Sequence, residues 1–82
     1  MLNNAFQEII NVDKPVLVDF YAEWCGPCKQ MPPILKALKD TMGDAIRIFK
    51  VNVDQHNDVA AHFQVTSIPT LMIFKNGNLL WR

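Results

Sequence analysis

Val16-Leu17-Val18-Asp19-Phe20-Tyr21-Ala22-Glu23-Trp24-Cys25-Gly26-Pro27-Cys28-Lys29 carries both cysteines of the chain, two residues apart, directly behind an apolar run. The run from Val16 to Ala22 is rich in β-branched and aromatic side chains. Its apolarity is nearly continuous, which marks a central strand buried on both faces. Asp19 is the anomaly inside it. Beyond the cysteines, Met31, Ile34, Leu35, Leu38 and Met42 form an apolar stripe at helical spacing, with Lys29, Gln30, Lys36, Lys39 and Asp40 on other faces. A Cys-x-x-Cys pair at a strand-to-helix junction is a redox signal.

The rest of the chain falls into place around that unit. Leu2, Phe6, Ile9 and Ile10 share one helical face, with Asn3 or Asn4 as cap, and Pro15 ends that helix by disfavouring the helical region just before it. Pro27 suits a first helical turn, where its missing N–H has no partner in any case. Pro32 and Pro33 lie deeper and predict a kink, and Gly43 predicts the stop. Ile46–Val53 reads as a second strand, and Asn57 or Asp58 as the cap of a short helix bearing Val59, Ala60 and Phe63. Thr70–Phe74 is a third strand, and Asn76-Gly77 the turn of a hairpin returning through Leu79–Trp81. The expectation is a mixed α/β sheet of about four strands, parallel early and antiparallel at the final hairpin. Its Cys pair would sit at the carboxyl end of a strand, where open α/β sheets place their chemistry.

Composition narrows the function classes. The 82 residues suit one domain spanning 1–82, with half the residues apolar, a fifth charged and zero formal net charge. Without a basic block, neither a nucleic-acid nor an anionic-membrane surface is indicated. No apolar run spans a bilayer, and Met1–Ala5 lacks the pattern of a signal peptide. Two cysteines do not make a stapled secreted scaffold, so the reading is cytoplasmic, with a transient, catalytic disulfide.

The spacing explains the chemistry. Residues i and i+3 of a helix lie on one face, so two sulfurs can close a small ring with little backbone movement. Cys25, at the helix start, faces unpaired N–H groups and the positive end of the dipole, both of which favour a thiolate. Cys28, inside the first turn, is expected to be the less exposed partner. A thiol lowered from a pKa of about 8.5 to about 7 goes from roughly 3% to roughly half ionised at pH 7. Its lower basicity costs about 5-fold in nucleophilicity, so the net gain in attack is about 3-fold. The larger benefit is as a leaving group. The same spacing also makes half a zinc site. The remaining candidate ligands, His56 and His62, fit that poorly, because Cys28 to His56 is longer than a finger allows. The motif alone leaves metal binding open.

Phe20-Tyr21-Ala22-Glu23-Trp24-Cys25-Gly26-Pro27-Cys28-Lys29 resembles the active-site signature of the thioredoxin family. The resemblance extends to Lys50-Val51-Asn52-Val53-Asp54, Ser67-Ile68-Pro69-Thr70 and Phe74-Lys75-Asn76-Gly77, in family order over nearly the whole chain. It implies a thioredoxin fold and a protein-disulfide reductase with no bound cofactor or metal. Gly26-Pro27 between the cysteines resembles the reducing members. Cys25 would be the nucleophile, Cys28 the resolving thiol, and Cys25–Cys28 the disulfide that forms. Electrons would come from NADPH through a thioredoxin reductase, and the partners would be that reductase and disulfide-containing substrate proteins. Asp19 reads from the residues as either a paired or solvated carboxylate or a buried proton carrier; the resemblance favours the carrier. Lys50 matches a lysine that tunes this carboxylate, against the plainer reading of a surface lysine. Trp24 would shield the disulfide and meet partners. Ile68-Pro69 would be a cis bond whose loop pairs with an extended substrate segment. Met31, Met42 and the leucine stripe are expected in the core.

Two family elements have no counterpart: a strand before the first helix, and a C-terminal amphipathic helix over the sheet. The expectation is a chain trimmed at its C-terminus, or one that self-associates through the uncovered sheet face. Two other functions compete with the reductase. A thioredoxin-fold binding subunit would survive replacement of both cysteines by serine. An exported oxidase or isomerase would have a potential well above the roughly −270 mV typical of thioredoxin.

Overall fold

The computed structural model describes residues 4–82, so the expected roles of Leu2 and Asn3 lie outside the described residues. The apolar run becomes β1 (Val16–Tyr21), whose first five residues are all buried. It lies inside a four-stranded sheet of order β2-β1-β3-β4, which is why its apolarity does not alternate. β2 (Arg47–Asn52) runs parallel to it, from Val16 opposite Arg47 to Tyr21 opposite Asn52. β3 (Thr70–Lys75) joins the other side antiparallel, with Val16 opposite Phe74. The parallel crossover therefore holds for β1 and β2, while the segment after β2 carries the chain past β1 and reverses it. Asn76 and Gly77 take positive φ values of 53° and 80°. That is the geometry an Asn-Gly hairpin turn needs, and β4 (Asn78–Trp81) returns antiparallel.

Two helices cover one face of the sheet. α1 (Asn4–Ile10) and α3 (Asn57–His62) bury Phe6, Ile10 and Val59 against Val16, Val18, Phe20, Val51, Met72 and Phe74. The other face packs Leu17 and Ile46 against Leu35 of α2 (Met31–Met42), with Met31, Leu38, Ile48, Leu71 and Ile73 half-buried around them.

The helix after the cysteines differs from its expected form. Pro27–Gln30 is a separate 3₁₀ turn, and the α-helix begins only at Met31. Pro32 and Pro33 thus fall in its first turn, where a missing N–H costs no intrahelical bond, and no kink is required. Gly43 ends it with φ 56°, as expected. Ile34 and Met42 are exposed, so the apolar stripe is wider than the face that α2 presents to the sheet. The N-cap of α3 is His56, not Asn57 or Asp58, and it makes no side-chain capping bond. Among the described residues no helix is long and apolar enough to cross a membrane.

Candidate active site

Because β1 and β2 are parallel, both end at one edge, where the Val53 N–H donates to the Tyr21 carbonyl (2.9 Å). Just past that edge the chain turns, with the Cys25 N–H donating to the Ala22 carbonyl (3.2 Å). Gly26 and Pro27 then lead into the 3₁₀ turn, which brings Cys25 and Cys28 to a Cα separation of 5.3 Å, joined by a disulfide. Gly26 has φ −60° and open space where a Cβ would stand, so the turn itself does not demand glycine. The Cys28 N–H donates to Cys25 Sγ at 3.1 Å, one of the unpaired donors expected at a helix start.

The two sulfurs do not differ in exposure as expected. Cys25 is 4% and Cys28 6% exposed, both in a small cluster with Ala22, flanked by Tyr21, Val53 and Ile68. The loop before β3 covers Cys25 and removes the difference. Its Ile68-Pro69 bond is cis, and the Ile68 carbonyl oxygen lies 3.8 Å from Cys25 Sγ. Beside it opens a groove of about 390 Å³ between Trp24, Val53 and the Val65–Ile68 segment. Trp24 is 70% exposed on one wall, and its indole N–H donates to Asp54 Oδ2 at 2.8 Å.

On the α2 side of the sheet lies a second, smaller cavity of about 160 Å³, lined by Asp19, Cys28, Lys29, Pro32 and Lys50. It brings together a carboxyl, a cysteine and a lysine that are far apart in sequence. Asp19 is 2% exposed, and its Oδ1 accepts no hydrogen bond among the described residues. Desolvation by burial raises its pKa above the ordinary carboxyl value, and the charge of Lys50, opposite it in the β1–β2 register, partly offsets this. A buried carboxyl held toward its neutral form is chemically able to take up and return a proton. His56 is the N-cap of α3 and His62 its last residue, with the His62 ring packed edge-on against Phe63 at 4.8 Å. Among the described residues no three His, Cys, Asp or Glu side chains are grouped to hold a metal ion.

The family model described as thioredoxin matches residues 1–81. The chain belongs to the thioredoxin family. It is 49% identical over 71 residues to a thioredoxin of Porphyra purpurea, a match covering 87% of this chain and 66% of that protein. It superposes on the crystal structure of oxidised mitochondrial thioredoxin 3 from Saccharomyces cerevisiae with TM-score 0.86 at 38% identity, covering 93% of this chain and 71% of that one. It superposes equally well, with TM-score 0.87 at 35% identity, on a chain of a yeast structure concerned with the thiol resolving mechanism of mitochondrial 1-Cys peroxiredoxin via glutathione/thioredoxin systems; 96% of this chain and 74% of that one are covered. The chain thus spans about two thirds of the length of the Porphyra relative.

Within this thioredoxin-family site, two residues had gained no role from the sequence. Asp54 accepts the Trp24 indole hydrogen bond. Asn52, itself buried, accepts the backbone N–H groups of Asp54 (2.9 Å) and Gln55 (3.3 Å) on its side-chain oxygen. The available signal was the Asn-x-Asp spacing at a strand end, a pattern in which an Asn side chain bonds the backbone two residues on.

Proposed function

We propose that this chain is a thiol–disulfide oxidoreductase that reduces protein disulfides. The observation that carries the reading is the Cys25–Cys28 disulfide at the carboxyl end of the central strand, sharing a cavity with the buried carboxyl of Asp19. In the reduced protein, Cys25 attacks one sulfur of a substrate disulfide. The substrate S–S bond breaks, a Cys25–substrate S–S bond forms, and one substrate thiolate departs. Cys28 then gives its proton to Asp19 and attacks Cys25 Sγ. The mixed disulfide breaks, and the second substrate thiolate leaves and takes the proton. Two electrons pass to the substrate, and the protein ends as the disulfide form. The Cys28 N–H already on Cys25 Sγ would stabilise negative charge there, which favours Cys25 as attacking and leaving sulfur.

A reductase drawing on NADPH would restore the dithiol, and no bound cofactor enters the cycle. An extended substrate segment would lie along Ile68 and Pro69 by backbone pairing, with Trp24 forming the far wall. A reducing compartment such as the cytoplasm fits this direction. The peroxiredoxin context of the yeast neighbour supports oxidised thiol proteins as a substrate class. Leu79, Leu80 and Trp81 stand exposed on β4, which favours self-association at high concentration, read as a concentration-dependent sedimentation coefficient.

Equilibration of the pair against glutathione or dithiothreitol, alongside insulin turnover, tests the reading. The expected potential is near −270 mV, the range of reducing family members. Cys25→Ser should abolish turnover, and Cys28→Ser should accumulate a mixed disulfide visible by intact mass. A potential near −120 mV with net oxidation of dithiols would overturn the reductase direction.

A further inference from the structure

We propose that Asn52 and Asp54 are positioning residues that fix Trp24 as the rigid wall of the groove and thereby set selectivity for protein over small-molecule disulfides. The inference rests on the reductase reading and names the part of the site that distinguishes its substrates. A large aromatic ring that is 70% exposed has little packing to choose among its rotamers. Trp24 is nevertheless tied down, because its indole N–H meets the Asp54 carboxylate at 2.8 Å. Asp54 is itself exposed, so its position needs a cause. The cause is Asn52, which is buried at the end of β2, opposite Tyr21 of β1. Its side-chain oxygen accepts the N–H groups of Asp54 and Gln55 and shapes the turn that aims the carboxylate. The parallel register thus reaches the ring through two hydrogen-bonding side chains.

The ring faces Val65–Ile68 across the groove, beside the Ile68 carbonyl that approaches Cys25. A polypeptide flanking a substrate disulfide fills that groove and gains from a wall already in place. A small disulfide reaches the sulfur without it. Fixing the ring beforehand removes an ordering cost from binding and leaves sulfur exchange itself unchanged.

The test compares Asp54→Ala with Asp54→Asn, which keeps a carbonyl acceptor, both in a Trp81→Phe background so that Trp24 is the sole tryptophan. Asp54→Ala should raise KM for insulin about 2- to 10-fold, the worth of one exposed hydrogen bond. It should leave kcat, and the turnover of 5,5′-dithiobis(2-nitrobenzoic acid), as in the parent. Trp24 fluorescence anisotropy should fall in Asp54→Ala and stay near the parent value in Asp54→Asn. Asn52→Ala should reproduce the loss of anisotropy, and adding it to Asp54→Ala should change little more, as expected of two members of one relay. Unchanged anisotropy and KM in Asp54→Ala, or an equal loss on both kinds of disulfide, would overturn the proposal. If the parent protein itself left insulin unreduced, the reductase reading would fall, and anisotropy alone would decide the relay.

Discussion

The two faces of the sheet are made from alternate residues of one strand and have opposite characters. Val16, Val18 and Phe20 of β1 sit in the cluster under α1 and α3, each with no exposed surface. There Phe6, Phe20, Phe49, Phe63 and Phe74 form tilted and edge-on ring pairs with centroids 5.2–6.5 Å apart. On the α2 face, Leu17 packs with Leu35 and Ile46, but the next residue on that side is Asp19, a carboxyl with one oxygen unpartnered among the described residues. One face is closed hydrocarbon. The other holds a buried polar group, the carboxyl we propose as the proton carrier, and carrying it costs stability. The site can hold an unfavourable carboxyl because the aromatic face anchors the same strand from behind.

The comparison breaks most readily at the aromatic face. A chain of this size has a stability of roughly 4–12 kcal/mol at about 0.05–0.15 kcal/mol per residue. Phe74 is 1% exposed and packs edge-on to both Phe6 and Phe63. Phe74→Ala should therefore cost about 3–5 kcal/mol, much of the total, read as a lower urea midpoint. The potential of the Cys25–Cys28 pair in the folded fraction should stay unchanged. A shift in that potential would mean that the two faces are coupled and the division fails.

Asp19→Asn inverts the trade. Because burial raises the Asp19 pKa, the folded state binds more protons than the unfolded state between the ordinary carboxyl value of 3.8 and the raised one. Stability therefore declines as pH climbs through that window, and the cost of the ionised group is fully present above it. Replacing Asp19 by asparagine removes the charge and should stabilise the protein by about 1–3 kcal/mol near neutrality. Below the ordinary carboxyl range, where Asp19 is protonated in both states, the gain should vanish. The resolving step should slow by roughly 100-fold or more, as when a general base is lost, so the Cys25–substrate mixed disulfide would accumulate. Equal stability of the two proteins across pH 3–8 would remove the argument that Asp19 burdens the fold.

The sequence disclosed those features in which a local pattern and the fold agree. The nearly continuous apolarity of Val16–Ala22 placed β1 inside the sheet, Asn76-Gly77 placed the hairpin, and the Cys-x-x-Cys spacing placed the cysteine pair at a strand end. Features set by which neighbour arrives from elsewhere could not be read. The burial of Cys25 depends on the Ile68-Pro69 loop, 43 residues away. Ile34 and Met42 match the helical stripe, but only contact with the sheet decides which of its residues are covered. Pro32 and Pro33 demand a kink only in a helix that starts at the cysteines, whereas a 3₁₀ turn intervenes. The Asn-x-Asp spacing signals the turn at Asn52 and Asp54 but not the Trp24 contact, because only the parallel register of β1 and β2 brings that ring within reach of Asp54.

The smallest expected effect tests whether Asp19 is tuned or merely tolerated. Lys50 lies opposite Asp19 in the parallel register, lines the same cavity and lowers a carboxyl pKa that burial has raised. Lys50→Met keeps the apolar stem, which packs like the lysine methylenes, and removes only the charge. Without that charge the Asp19 pKa should rise further, so the limb of the pH–rate profile governed by its ionisation should move to higher pH. The ionised form becomes costlier in the folded state, so stability should fall above the titration of Asp19 and stay unchanged below it. Lys50 is exposed, and solvent screening should keep this loss under about 1 kcal/mol. Added to Asp19→Asn, the substitution should shift neither the profile nor the stability further, because the group it acts on is gone. A Lys50→Met effect that persists in the Asp19→Asn protein would mean that the lysine acts on Cys28 or on the substrate, and the carboxyl would lose its place as the proton carrier it tunes.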